Sequence, residues 1–121
     1  MIEILVGFPD TVVAFAAKGE VTRSDYSDTV IPKVEEAFTR HKKIRCYYEL
    51  GPQFSGMAPG AMWEDFKIGV EHISRWEKAA VVTDVDWIRR AVNLFRFIVP
   101  CEIRVFGMIQ ASEARRWIAA D

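Results

Sequence analysis

The side chains able to do chemistry are spread thinly along this chain. One predicted helix carries Glu64, Asp65, Lys67 and Glu71 beside Trp63. Acids and a base so close could exchange protons if burial or a like-charged neighbour moved a carboxyl pKa. The simpler reading is a solvated face: Lys67 lies one helical turn from both Glu64 and Glu71, and such exposed pairs contribute roughly a few tenths of a kcal/mol each. Cys46 sits inside an apolar run and Cys101 begins another, where a thiol usually acts as a small buried hydrophobe. His41 and His72 fall near the ends of predicted helices, where a protonated imidazole complements the negative end of the dipole. Neither has acids or cysteines at ligand spacing, so no metal or other cofactor is implied. With no nucleophile, base or metal set in view, the chain reads as a binding domain and not an enzyme.

The densest unusual stretch is Glu49-Leu50-Gly51-Pro52-Gln53-Phe54-Ser55-Gly56, which follows an apolar strand and runs into a helix opening at Gly60-Ala61-Met62-Trp63. Glycine and proline at that density suit a loop with special backbone geometry, and loops on a rigid scaffold carry function. In open α/β sheets, ligands collect beyond the carboxyl ends of the strands. Thr22, the Gly51 to Gly60 loop, Thr83-Asp84 and Gly107-Met108 would share that edge if strands two to five are parallel. Every α/β domain has such an edge, filled or empty. The candidate ligand-binding residues are Phe54, Ser55, Gly56, Met62, Trp63, Phe66, Thr83 and Trp87, mostly apolar and suited to a small lipophilic molecule.

Ile2 to Val6 reads as a short strand, Gly7-Phe8-Pro9-Asp10 as a turn, and Thr11 to Lys18 as the returning strand. So short a connection makes an antiparallel hairpin. Ser24 resembles a helix cap, with Val30, Val34, Ala37 and Phe38 at helical spacing, and Pro32 should kink or restart that helix. Strands follow at Ile44 to Leu50, Ala79 to Thr83 and Cys101 to Phe106, and helices at Gly60 to His72, Val85 to Ile98 and Ser112 to Ala120. Met62, Phe66, Val70 and Ile73 make the expected inward stripe of the second helix, with Trp63 widening it into the core. Intervening helices permit parallel neighbours, and the continuous apolar run Ala79-Ala80-Val81-Val82 suits a strand covered on both faces. The fold class is α/β: one domain over 1–121, with a five-stranded mixed sheet, an N-terminal antiparallel hairpin, then alternating helices and strands, and about four helices in all.

In the third helix, Trp87, Ala91, Leu94, Phe95 and Ile98 form the expected inward stripe, with Arg89, Asn93 and Arg96 opposite. Phe97 falls near Arg90 and Asn93, outside that stripe. An aromatic among arginines suits a second subunit or the headgroup region of a membrane, while scattered exposed apolar residues are also normal. Arg89, Arg90, Arg96 and Phe97 are therefore the candidate contact for a homodimer or a peripheral membrane association. The net charge is −1, without a basic run, so nucleic acid is not expected as a partner. No apolar stretch approaches the roughly 20 residues of a membrane helix, and Met1-Ile2-Glu3 leads straight into a strand. A cytoplasmic protein, able at most to sit on the membrane surface, is expected.

Several pieces in order carry a resemblance: Gly19 to Tyr26 before the first helix, Phe54-Ser55-Gly56, Trp63-Glu64-Asp65-Phe66-Lys67, Ala80-Val81-Val82-Thr83-Asp84, and Glu102-Ile103-Arg104-Val105-Phe106. Together they resemble the SpoIIAA-like family, a branch of the STAS superfamily, over nearly the whole chain. The resemblance implies the same hairpin-plus-alternating α/β sheet, and a likeness to lipid-carrier folds of the CRAL-TRIO type. In STAS regulators of the anti-anti-sigma kind, the loop after this strand carries an Asp-Ser motif whose serine is phosphorylated, switching partner binding. Ser55 occupies the matching place as a possible phosphosite, but Phe54 stands where the aspartate would be, and Glu64 and Asp65 in the following helix would repel a nearby phosphate. A partner-switching regulator acting through Ser55 is thus the alternative to a lipophile- or membrane-binding module.

Overall fold

The computed structural model describes residues 1–120. Five strands lie in sequence order across one sheet: β1 (Ile2–Ile4), β2 (Val12–Val21), β3 (Ile44–Met57), β4 (Trp76–Thr83) and β5 (Glu102–Phe106). β1 runs antiparallel to β2, with Glu3 opposite Ala16, and every later pair is parallel. This is the expected mixed α/β sheet, and the strand order is its simplest form.

Helix α1 is composite: an α turn at Arg23–Asp25, a π turn at Tyr26–Val30 and an α-helix at Ile31–Arg40. Thr22, not Ser24, is its cap. Its hydroxyl accepts from the Asp25 backbone N–H at 3.3 Å, and the Asp25 carboxylate accepts from the Thr22 N–H at 2.8 Å, a reciprocal capping box. The expected disturbance at Pro32 takes the form of the π turn directly before it, where the Ile31 N–H reaches back five residues to the Tyr26 carbonyl. The remaining helices are α2 (Pro59–Glu71), α3 (Asp86–Phe95) and α4 (Ala111–Ala119), the last preceded by a 3-10 turn at Met108–Gln110.

Crossovers between parallel neighbours are almost always right-handed. With β2 to β5 laid down in one direction, that single hand places α1, α2 and α3 on the same face of the sheet. The core divides accordingly. Val13, Phe15, Val21, Leu50, Val34, Ile68 and Ile88 form one cluster, whereas Val12, Ala14, Tyr47, Ala80, Val82 and Phe106 pack on the other face against Ala114 and Ile118 of α4.

Several expectations are corrected by these elements. The stretch predicted as a glycine-rich loop is the second half of β3, which continues to Met57 because β2 continues to Val21 and offers pairing: Gly19 faces Phe54, Glu20 faces Gly56 and Val21 faces Met57. Gly19, at φ +61°, occupies the left-handed region and sits at the register shift that lets the two strands stay paired. The third helix ends at Phe95 and not Ile98, with the Ile98 N–H closing a turn onto the Phe95 carbonyl at 2.9 Å. Its inward residue is Ile88, while Leu94 and Ile98 from the expected stripe are 69% and 70% exposed. In α2 the buried positions are Ala61, Glu64 and Ile68, in place of Met62, Phe66 and Val70, and Trp63, expected in the core, is 56% exposed.

Candidate functional site

Beneath α2 and α3 lies a cavity of about 360 Å³. Its floor is the helix-covered sheet face, where strand alternation brings Cys46, Tyr48 and Leu50 of β3 beside Ala79 and Val81 of β4 and Ile103 of β5. Cys46, Ala79 and Ile103 stand in one row across the three strands; the short side chains of the first two leave the floor low. The walls are Tyr26, Val30 and Val34 of α1, Met62, Phe66 and Val70 of α2, and Trp87, Ala91 and Phe95 of α3. Phe66 meets Phe95 edge to face, with ring centroids 6.0 Å apart, and Trp63 stacks on Phe66 at 5.9 Å. These partly exposed aromatics form the rim between the two helices.

The polar chemistry of this cavity is concentrated in one cluster. Tyr26 Oη donates to Asp65 Oδ1 at 2.8 Å and lies 3.0 Å from Tyr48 Oη. A phenol has one hydrogen to give. With the Tyr26 hydrogen on the carboxylate, the Tyr48 hydroxyl donates to Tyr26, and the chain of bonds runs Tyr48 to Tyr26 to Asp65. Asp65 is solvent-accessible and stands at the edge of the cavity, among its lining residues. Burial raises the carboxyl pKa above its ordinary value, and the Tyr26 hydrogen bond partly opposes the rise. Burial also pushes both phenols upward, reinforced by the nearby Asp65 charge, so they act as neutral donors. The Cys46 and Cys101 thiols, both lining the cavity, are likewise raised by burial and stay protonated. A thiol so held is a poor nucleophile.

Met62, Phe66 and Trp87 from the sequence-predicted set converge on this cavity. Phe54 lies outside it, half-buried with its ring 6.4 Å from that of Trp87, and Gly56 is a paired strand position opposite Glu20. Trp63 is on the rim and not in the lining. Thr83, expected to bind a ligand, is fully buried: its hydroxyl donates to the Leu50 carbonyl at 2.8 Å and accepts from the Val85 N–H at 3.1 Å, joining β3, β4 and α3. Ser55 is exposed on the outer half of β3, ahead of the α2 cap at Ala58. Arg89 is turned inward, donating to the Thr83 carbonyl at 2.9 Å, whereas Arg90 and Arg96 are exposed and Arg96 lies over the Phe97 ring. Phe97 is 84% exposed in the turn after α3.

The residues that sequence reasoning missed are Tyr26, Tyr48 and Asp65. Asp65 is exposed, as expected of its face, but it borders the cavity and accepts the Tyr26 hydrogen bond, a partner that no spacing within α2 could show. Tyr48 shares its strand face with Cys46 and Leu50, and a phenol on an inward face needs a hydrogen-bond partner. Glu64, paired on paper with Lys67 at the surface, is instead 6% exposed and lies 3.3 Å from Arg23 as well as 3.6 Å from Lys67. The histidines join other partners: His41 contacts Asp10 at 2.8 Å and His72 contacts Glu35 at 3.2 Å. Among the described residues no three His, Cys, Asp or Glu side chains converge as a metal site, and no helix is long and apolar enough to cross a membrane.

A sheet in sequence order, with an antiparallel edge strand, three crossover helices on one face and the last helix on the other, is the SpoIIAA-like, STAS-type architecture. The SpoIIAA-like family model matches residues 12–119, and the chain belongs to that family. Among solved structures it is similar to an uncharacterized protein of the DUF3478 family from Shewanella loihica PV-4, described as having a SpoIIAA-like fold. The TM-score is 0.76 at 23% identity, over 97% of this chain and 93% of that one. No curated protein matches the chain in sequence.

Proposed function

We propose that this chain is a non-catalytic module that binds a small lipophilic molecule in the cavity under α2 and α3. The observation that carries the reading is the cavity itself: about 360 Å³, walled by aliphatic and aromatic side chains, with its polar groups gathered at Asp65, Tyr26 and Tyr48. That is the usual composition of a ligand site and falls within the usual volume range. The cleft is open at the rim, where Met62, Phe66, Trp87 and Phe95 are exposed, so a molecule can enter it. The neighbouring surface supports collection of such a molecule from a membrane. Arg90, Leu94 and Phe97 recur at helical spacing at the end of α3, with Ile98 and Arg96 beside them, all exposed. Basic and apolar side chains on one face suit the interfacial region of an anionic bilayer. Partner switching through Ser55 has less support, since a phosphate there would sit on an exposed strand and not at the start of α2.

Native mass spectrometry of the purified protein, with tryptophan fluorescence during titration of ten-carbon amphiphiles, tests the reading, since Trp76 and Trp87 line the cavity. Ala79→Phe places a ring on the low part of the floor and should abolish the fluorescence change while the fold is retained. An unchanged titration in a folded Ala79→Phe variant would place any binding elsewhere.

A further inference from the structure

The cavity holds one carboxylate and nothing to balance it. Tyr26, Tyr48, Cys46, Cys101 and Asp65 are its only side chains that titrate; no Lys, Arg or His lines it among the described residues. Lys67, two residues after Asp65, lies against Glu64, and so does Arg23 of α1. Asp65 Oδ1 receives the Tyr26 hydrogen, whereas Oδ2 has no hydrogen-bond partner among the described residues. The Tyr48 and Tyr26 hydrogens both point along the chain of bonds toward Asp65, so this cluster offers acceptors to a ligand and no spare donor. A cation seated in the cavity would find this carboxylate beside apolar walls, where a charge pair is screened less than in open water.

Resting on the lipophile-binding reading above, we propose that the ligand class is a cationic amphiphile, a lipophilic amine whose ammonium group pairs with Asp65 while its chain lies along the Cys46–Ala79 floor. An ammonium supplies both the missing charge and up to three N–H donors. An alcohol supplies a donor without the charge. A fatty carboxylate supplies neither and adds repulsion between like charges, so fatty acids are selected against by the same group.

Decylamine, decanol and decanoate, compared at pH 7.5 below their aggregation thresholds, separate these chemistries at constant chain length. Decylamine should bind the wild type about tenfold more tightly than decanol, the scale of one charge-assisted hydrogen bond, and decanoate more weakly than decanol. Asp65→Asn keeps the shape and the Tyr26 bond but removes the charge, and should bring decylamine to within about threefold of decanol. Should that variant fold poorly, the ranking on the wild type still decides. Equal affinity for all three probes, or preference for decanoate, overturns the amine assignment and leaves the lipophile cavity standing. Decylamine preference that persists in Asp65→Asn shows the charge to be read elsewhere and also overturns it. Absence of binding by any probe removes both readings.

Discussion

Replacing Tyr26 by phenylalanine deletes one oxygen and breaks the polar cluster that Tyr26, Tyr48 and Asp65 form in the cavity. Tyr26 is fully buried, and its hydroxyl joins Tyr48 at 3.0 Å to Asp65 at 2.8 Å. Loss of a hydrogen bond to a charged acceptor costs about 1.5–3 kcal/mol. The lower part of that range applies, because water in the cavity can reach the Asp65 surface that opens onto it; we expect about 2 kcal/mol at pH 8. The loss depends on pH with a definite sign. The folded Asp65 pKa lies above 3.8, so between 3.8 and the folded value the native state holds more protons than the unfolded state. Stability falls as pH rises through that window and is level above it. Removing the Tyr26 donor, which holds the pKa down, widens the window. The gap between wild type and Tyr26→Phe should therefore grow from about 1 kcal/mol at pH 3.5, where a neutral hydrogen bond is lost, to the full value at pH 8. Urea unfolding at fixed m-value measures both points. A gap that is independent of pH, or below about 0.5 kcal/mol at pH 8, would refute the Tyr26–Asp65 bond as the element that stabilises the Asp65 carboxylate.

Thr83→Val should destabilise by about 2 kcal/mol, since it orphans the Val85 N–H and the bond to the Leu50 carbonyl in a fully buried setting; thermal or urea unfolding reads this directly. Phe97→Ser should leave stability within about 0.5 kcal/mol, as expected of a side chain 84% exposed. If the α3 end meets membranes, the same change should weaken sedimentation with anionic vesicles at low salt, and added salt should release the wild type. Cys46 and Cys101 should alkylate slowly in the native protein at pH 8, because burial holds both thiols protonated. Mass-shift kinetics in native buffer and in urea give the comparison, and reaction as fast as in urea would show that the cavity floor is not sheltered.

The continuous apolar run Ala79 to Val82, the helical recurrence of Val30, Val34 and Phe38, and the short turn at Gly7 to Asp10 were enough for the mixed α/β sheet, because each is a local pattern. Pro32 marked a disturbance in the first helix for an equally local reason, its missing N–H. The outer half of β3 was hidden because Gly51, Pro52 and Gly56 argue for a loop on propensity, whereas the continuing edge of β2 supplies partners from a distant part of the chain. The helix faces were hidden in the same way. Met62, Phe66, Trp87 and Phe95 satisfy a core stripe by spacing, and only the position of the helices over the sheet decides whether such side chains are packed, line a cavity or meet solvent.

Local chemistry along the chain thus settles which segments become strands and helices, and the handedness of the crossovers commits three helices to one face of the sheet. Whether that face closes is decided by tertiary distances. Asp65 looks like any surface acid among charged neighbours, and becomes the one charge in an apolar cavity because Tyr26, thirty-nine residues earlier, and Tyr48 of β3 are brought against it. Burial, counter-charge and hydrogen-bond supply are properties of neighbours in space, and these three side chains become neighbours only through the folding of α1 and α2 over β3.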